Sequence, residues 1–253
     1  MTDVDVVIHG DTIEEMGRLP DQCVDLIVTS PPYNQRLSSM SSPTGRYKGS
    51  TWFKSLAEAY PDDMPEAGYQ DWQIECLKQM LRVTKRDGLV CYNHKLRFRG
   101  GKAIHPLSWI WKAGAVLKQE IVWDRRGSLA QNARMWAPGD ERVFILRRPD
   151  SEHWTWNSNE WAKGTSVWAM PPSGAKETAH PCAFPLSLPM KLISVLSNPM
   201  ELVLDPFAGS GTTLVAAAKL NRHYLGIDSD ERYVNMARQR LEDDEEGQLG
   251  MML

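Results

Sequence analysis

The sequence predicts an α/β fold in which a mostly parallel sheet carries helices on both faces. Three observations predict it. Short apolar, β-branched runs alternate with helix-like periodic segments along most of the chain. Two of those runs end directly in turns rich in Pro or Gly, at Thr29-Ser30-Pro31-Pro32-Tyr33-Asn34 and at Asp205-Pro206-Phe207-Ala208-Gly209-Ser210-Gly211. Open α/β sheets carry their functional turns at the carboxyl ends of strands in this way. Finally, 253 residues with 42% hydrophobic and 24% charged content suffice for one large core, so a single domain over 1–253 is expected.

The elements follow in order. Val4 to Ile8 is a β-branched strand, Thr12 to Leu19 a helix and Val24 to Val28 a second strand, together a βαβ unit. Ser38 to Pro65 shifts to Ser, Gly, Pro and Lys and reads as a long surface loop, a length usually tied to function. Tyr69 to Val83 is an amphipathic helix stopped by Lys85, Arg86, Asp87 and Gly88, and Leu89 to Asn93 is the strand after it. A helix at Pro106 to Ala113 and strands at Gln119 to Trp123 and Arg142 to Leu146 continue the pattern. It breaks between Pro149 and Pro181, where Trp154, Trp156, Trp161 and Trp168 fall among Asn, Ser and Pro. An inserted recognition element is expected at about 125–179. Leu186 to Leu196 reads as helix, Leu202 to Leu204 as strand, Thr212 to Leu220 as helix, Tyr224 to Ile227 as strand and Glu231 to Leu241 as the last helix, before an acidic tail at about 242–253.

Composition excludes several function classes. No stretch approaches the roughly 20 apolar residues of a membrane span, and the N-terminus lacks a signal core, so a cytoplasmic protein without membrane partners is expected. Cys23, Cys76, Cys91 and Cys182 form no C-x-x-C pair, so no metal site and no disulfide framework are expected. The net charge of −3 includes five acids at 242–246, and the remainder carries −3 + 5 = +2. Overall charge therefore neither supports nor excludes nucleic acid. Basic residues gather at Lys95, Arg97, Arg99 and Lys102, at Arg125 and Arg126, and at Arg142, Arg147 and Arg148, either as a solvated face or as phosphate contacts.

The glycine turn leads from a strand into a helix whose first turn Thr212 and Thr213 could cap. The next strand ends at Asp228, 17 residues after Gly211, placed to accept two ribose hydroxyls. Leu214 replaces the third glycine of the dinucleotide pattern, which disfavours a pyrophosphate. Asp205 would repel phosphate but could pair with a cationic amino-acid group, as S-adenosylmethionine offers. In the proline turn, two prolines fix φ and remove two donors, leaving carbonyls near Ser30 and Pro31 as acceptors for an amino group. Exocyclic amines of bases are poor nucleophiles because the nitrogen lone pair delocalises into the ring. Acceptors on the N–H bonds draw that nitrogen toward tetrahedral geometry and steady its growing charge. Tyr33 could stack on a base flipped out of the duplex.

Together, T-S-P-P-Y-N early and D-P-F-A-G-S-G-T-T late resemble the DNA amino-methyltransferases of the β arrangement, in which the catalytic motif precedes the cofactor motif. His9-Gly10-Asp11, Glu120 to Asp124, Ser166-Val167-Trp168 and His180-Pro181-Cys182-Ala183-Phe184-Pro185 extend the resemblance over roughly Val6 to Leu241. The resemblance implies a Rossmann-like methyltransferase fold using S-adenosylmethionine on double-stranded DNA. It makes Ser30, Pro31, Pro32 and Tyr33 the catalytic turn. It places Asp11, His180, Asp205, Phe207, Gly209, Gly211, Thr212 and Asp228 on the cofactor side. Trp123 is assigned to the core. Members with Ser at the position of Ser30 act on cytosine N4 and those with Asp or Asn on adenine N6, so cytosine is favoured and adenine is the alternative. Methylation of RNA or of a protein amide is disfavoured, because there the glycine turn precedes the catalytic one. A non-catalytic DNA-binding module is disfavoured because both motifs are intact. A homodimer and a cognate restriction endonuclease are left open as partners.

Overall fold

The computed structural model describes residues 3–35, 63–127, 136–172 and 184–252. In chain order the elements are β1 (Val6–His9), α1 (Thr12–Arg18), β2 (Val24–Thr29), α2 (Glu66–Val83), β3 (Thr84–His94), β4 (Arg97–Arg99), β5 (Lys102–Ile104), α3 (Leu107–Ile110) and β6 (Val116–Asp124). They continue with β7 (Asp140–Arg147), β8 (Val167–Ala169), α4 (Ser187–Leu196), β9 (Leu202–Asp205), α5 (Thr212–Lys219), β10 (His223–Asp228) and α6 (Glu231–Met252). Eight strands form one sheet in the order β1-β10-β9-β2-β3-β7-β6-β8, and β4 and β5 form a separate hairpin. Among the described strands of the sheet, only β7 runs against the rest, pairing antiparallel with β3 and with β6.

Strand alternation explains the two faces, because successive side chains point to opposite sides. Leu26, Val28, Cys91, Val143, Ile145 and Val203 point to one side, where α4, α5 and α6 bring Leu188, Leu192, Leu214, Val215, Val234 and Ala237. Ile27, Val90, Tyr92, Phe144, Leu202 and Leu204 point to the other, where α1, α2 and α3 bring Met16, Leu77, Met80, Trp109 and Ile110. Helices therefore cover both faces, as the sequence predicts, three on each among the described residues.

The order of strands creates the position for a site. From β9 the chain passes through α5 to β10 on one side, while β2 passes through α2 to β3 on the other. Connections diverging from the adjacent strands β9 and β2 leave a crevice at their carboxyl ends. Both sequence turns lie there. Because β7 is antiparallel, its first residues, Asp140 and Glu141, come to that same edge.

Several expectations are corrected. The stop at Lys85 to Gly88 lies within β3, where pairing with β2 jumps from Val24–Thr84 to Leu26–Leu89, so the extra residues bulge rather than end a helix in a loop. Neither threonine caps α5: Gly211 is its N-cap, with no side-chain bond to the cap. The last helix does not stop at Leu241 but continues to Met252. Within the span 125–179, β7 and β8 belong to the main sheet, so that span is not one continuous insertion. The β4–β5 hairpin and β8 are additions that the sequence does not predict.

Several residues of the basic runs are paired within the chain. Arg97 makes a two-pronged pair with Glu66, at 2.8 Å for each bond, and lies 4.4 Å from the Tyr69 ring centre. Arg142 bonds Glu120 and Asp140, Arg148 bonds Asp150, and Arg125 bonds Glu141. Among the described residues, no helix is long and apolar enough to cross a membrane and no group of His, Cys, Asp or Glu is arranged to hold a metal. Burial pushes the thiols of Cys76 and Cys91 well above the usual range.

Candidate active site

The proline turn is gripped from below by α2. Tyr69 and Gln73, one helical turn apart, both reach the Pro32 carbonyl, with the Tyr69 hydroxyl donating at 2.7 Å and the Gln73 amide at 3.3 Å. The Gln73 amide also donates to Tyr69 at 2.8 Å, and Tyr92 donates to Gln73 at 2.7 Å. Behind them, Trp109 donates to Tyr92 at 3.1 Å. His94, at the end of β3, lies 2.7 Å from the Tyr69 hydroxyl and accepts from the Lys95 amide at its Nδ1. Burial pushes the imidazole well below its usual range, so it stays neutral. Asn34 closes the turn with φ +54°, and its side chain exchanges two bonds with the backbone of Met64, at 2.9 and 3.0 Å.

Above this base the expected residues do meet. Ser30 Oγ lies 2.7 Å from the Tyr33 hydroxyl, which donates to Glu141 Oε2 at 2.9 Å. Asn93, one residue before His94, donates to Tyr33 at 2.8 Å and to Glu141 at 3.0 Å. The Tyr33 ring packs on His94 with centres 4.5 Å apart. Of the turn's carbonyls, that of Pro32 is taken by α2. Asn93 and Glu141 are absent from the sequence expectation. Asn93 had a signal, because it ends a predicted strand beside the catalytic one. Glu141 had none, since only the reversed direction of β7 brings it here.

The glycine turn occupies the neighbouring strand end. Asp205 is 2% exposed, and its Oδ1 accepts from the Thr29 hydroxyl at 2.7 Å and from the Phe207 amide at 3.1 Å. Burial raises its carboxyl from the ordinary 3.8 to about 6. Among the described residues, no lysine or arginine pairs with it. Asp228 is also buried, which raises its carboxyl, and it accepts from the amides of Gly209 at 2.8 Å and Asp230 at 2.9 Å. Each oxygen retains a second lone pair. Phe207 sits edge-on to Trp72, with ring centres 5.5 Å apart.

Gly209 and Gly211 have left-handed φ values of +51° and +78°. At Gly211 a side chain is excluded by the protein itself, since an added Cβ would lie 2.8 Å from Ala237 Cβ on α6. Gly211→Ala is therefore expected to lower stability by about 1–3 kcal/mol, read as a fall in melting temperature. The Thr212 hydroxyl faces α6 too, accepting from Arg240 at 3.3 Å, and Arg240 also donates to the Ser210 carbonyl.

The remaining expected residues have other surroundings. Asp11 is exposed and caps α1, accepting from the amides of Ile13 at 2.9 Å and Glu14 at 3.1 Å. Its neighbour Thr12 ties that helix to the glycine turn by donating to the Pro206 carbonyl at 2.7 Å. His180 lies outside the described residues. Trp123 is 3% exposed and donates to the Met170 carbonyl at 2.8 Å, a core residue as predicted.

Comparison with known proteins agrees with this architecture. The chain is 28% identical over 268 residues to the Type II methyltransferase M.ScaI of Streptomyces caespitosus, covering 94% of this chain and 81% of the relative. Its fold is similar to the cytosine-N4-specific PvuII DNA methyltransferase, with TM-score 0.70, 17% identity and coverage of 96% and 92%. It is also similar to the S-adenosylmethionine complex of M1.HpyAVI, with TM-score 0.63, 22% identity and coverage of 93% and 98%. The model of the N6/N4 DNA methylase family matches residues 24–239. The chain therefore belongs to that family, the DNA amino-methyltransferases whose methyl donor is S-adenosylmethionine.

Proposed function

We propose that this chain methylates the exocyclic N4 of cytosine in a base flipped out of double-stranded DNA. The observation that carries the reading is the Ser30 hydroxyl, seated at the end of β2 and bonded to Tyr33 at 2.7 Å. A serine in that place resembles the cytosine-acting members, and the cytosine-N4 specificity stated for the PvuII enzyme supports the same choice. When bound, S-adenosylmethionine supplies an activated methyl group on its sulfonium. The unpaired, buried Asp205 fits the ammonium of such a ligand, and the free lone pairs of Asp228 fit ribose hydroxyls. Ser30 Oγ and the carbonyls of Ser30 and Pro31 accept the N–H bonds of the target amine and bias its nitrogen toward attack. The Tyr33 ring backs the base.

Residues of 125–179 outside the sheet, including the exposed Trp154, Trp156 and Trp161, are proposed to read the DNA sequence. The Type II designation of M.ScaI makes a cognate endonuclease a reasonable partner to seek. Digesting DNA from cells expressing the protein to nucleosides and weighing them tests the base assignment. N4-methylcytosine is expected, and N6-methyladenine in its place overturns the choice.

A further inference from the structure

Glu141 is the one buried carboxylate bonded directly to the catalytic turn among the described residues, and nothing above gives it a task. It is 7% exposed, at the start of β7, and accepts three bonds. Tyr33 and Asn93 donate to Oε2 at 2.9 and 3.0 Å, and Arg125 to Oε1 at 3.0 Å.

A carboxylate can only accept, and that constraint propagates through the cluster. Because Tyr33 donates its single proton to Glu141, its oxygen can only accept from its other neighbours. The proton of Ser30, 2.7 Å away, must then point at Tyr33. Ser30 Oγ accepts a long bond from the Asn93 amide at 3.4 Å and keeps a second lone pair. The same carboxylate orients Asn93: its Nδ2 must face Glu141, which turns Oδ1 away. That Oδ1 is buried and has no hydrogen-bond partner, although Asn93 is 3% exposed. A buried orphan acceptor is costly to keep unless something supplies a donor. Burial, followed by the charge of Glu141, holds the Tyr33 phenol well above its usual range, so the donor in the middle of the chain is permanent.

We propose that Glu141 sets the hydrogen-bond polarity of the amine pocket, turning the Ser30 hydroxyl toward Tyr33 so that Ser30 Oγ presents a lone pair to an N–H bond of the target amine. Glu141 is thus a positioning residue that acts through Tyr33 and Ser30, and Arg125 holds its second oxygen. The inference rests on amino-methyl transfer, and applies equally to cytosine and adenine.

The test compares Glu141→Gln and Glu141→Asp with the native protein in single turnover, at saturating S-adenosylmethionine and DNA. The amide of Gln fills the same space but brings its own N–H donors, so it can reverse the polarity. Asp keeps an acceptor. Glu141→Gln is expected to slow transfer by about 10- to 100-fold, with S-adenosylmethionine affinity, DNA affinity and melting temperature unchanged. Glu141→Asp is expected to recover at least about tenfold of that loss. Transfer by Glu141→Gln within about threefold of native overturns the proposal, as does a Glu141→Asp variant no faster than Glu141→Gln. A rate loss matched by equal loss of cofactor binding or of melting temperature also overturns it, because it would make Glu141 a structural support. The readout is the sum of N4-methylcytosine and N6-methyladenine, so an error in the base assignment leaves this test intact.

Discussion

Asp205→Asn is expected to weaken S-adenosylmethionine binding by about a hundredfold while making the unliganded protein more stable. Both effects have one cause. Asp205 is 2% exposed and faces no cation among the described residues, so its charge is carried at a cost until a cationic ligand arrives. A carboxyl held at about 6 rather than 3.8 penalises the unliganded fold at pH 7 by on the order of 3 kcal/mol. Asparagine keeps an acceptor for Thr29 and Phe207 but removes the charge. Calorimetry should therefore show a melting temperature higher by on the order of 5 °C. The lost affinity reflects the pairing of a buried charge with the ligand's ammonium, typically worth several kcal/mol when one partner is removed.

The pH dependence has a definite sign. The folded carboxyl is raised, so its contribution to stability is full below about 3.8 and is lost as pH rises through about 6. Ligand pairing runs the other way, since only the ionised form attracts the ammonium. Affinity in the native protein should fall as pH drops below about 6, by up to about tenfold per unit, and Asp205→Asn should lose that dependence. Titration calorimetry between pH 5 and 8 measures both. Equal affinity of native and Asp205→Asn at pH 7.5 would remove Asp205 from the cofactor site.

Ser30→Ala is expected to lower methyl transfer by about 10²- to 10³-fold with S-adenosylmethionine binding unchanged. The loss follows from geometry. Without Oγ the amine loses the acceptor nearest the carboxyl end of β2, and Tyr33 loses the partner at 2.7 Å that fixes its second direction. Cofactor binding persists because the glycine turn contacts β2 through Thr29 and Val28, not Ser30, by the bonds from Thr29 to Asp205 and from Thr213 to the Val28 carbonyl. Stopped-flow or quench measurement of one turnover, with binding measured separately, separates the two. Unchanged transfer would refute the role of Ser30.

Much of the molecule was legible in its residues because its signals are local. The Val24–Val28 run, the Tyr69–Val83 helix and the strand before Asp205 each show their own period, and their turns follow directly in the chain. The proline and glycine turns could be assigned to one edge because parallel strands of such a sheet end on one side. Some residues serve a structural purpose that the local signal does not show. Asp11 has both the identity of a motif acid and the placement of a helix cap, and in the structure it caps α1. Gly211 has the look of an opening for a ligand, yet its missing Cβ makes room for Ala237, 26 residues later.

By itself the sequence determined the class of fold, the succession of elements and the two turns at the carboxyl ends of strands, since periodicity and turn chemistry depend on residues a few positions apart. Only the tertiary structure decided which side chains support those turns. Tyr69, Asn93 and Glu141 converge on Pro32 and Tyr33 from α2, β3 and β7, across as many as 108 positions of sequence. Their meeting depends on strand order and on the reversed direction of β7. Both are set by how crossovers pack over the whole sheet, and no local pattern of residues encodes them.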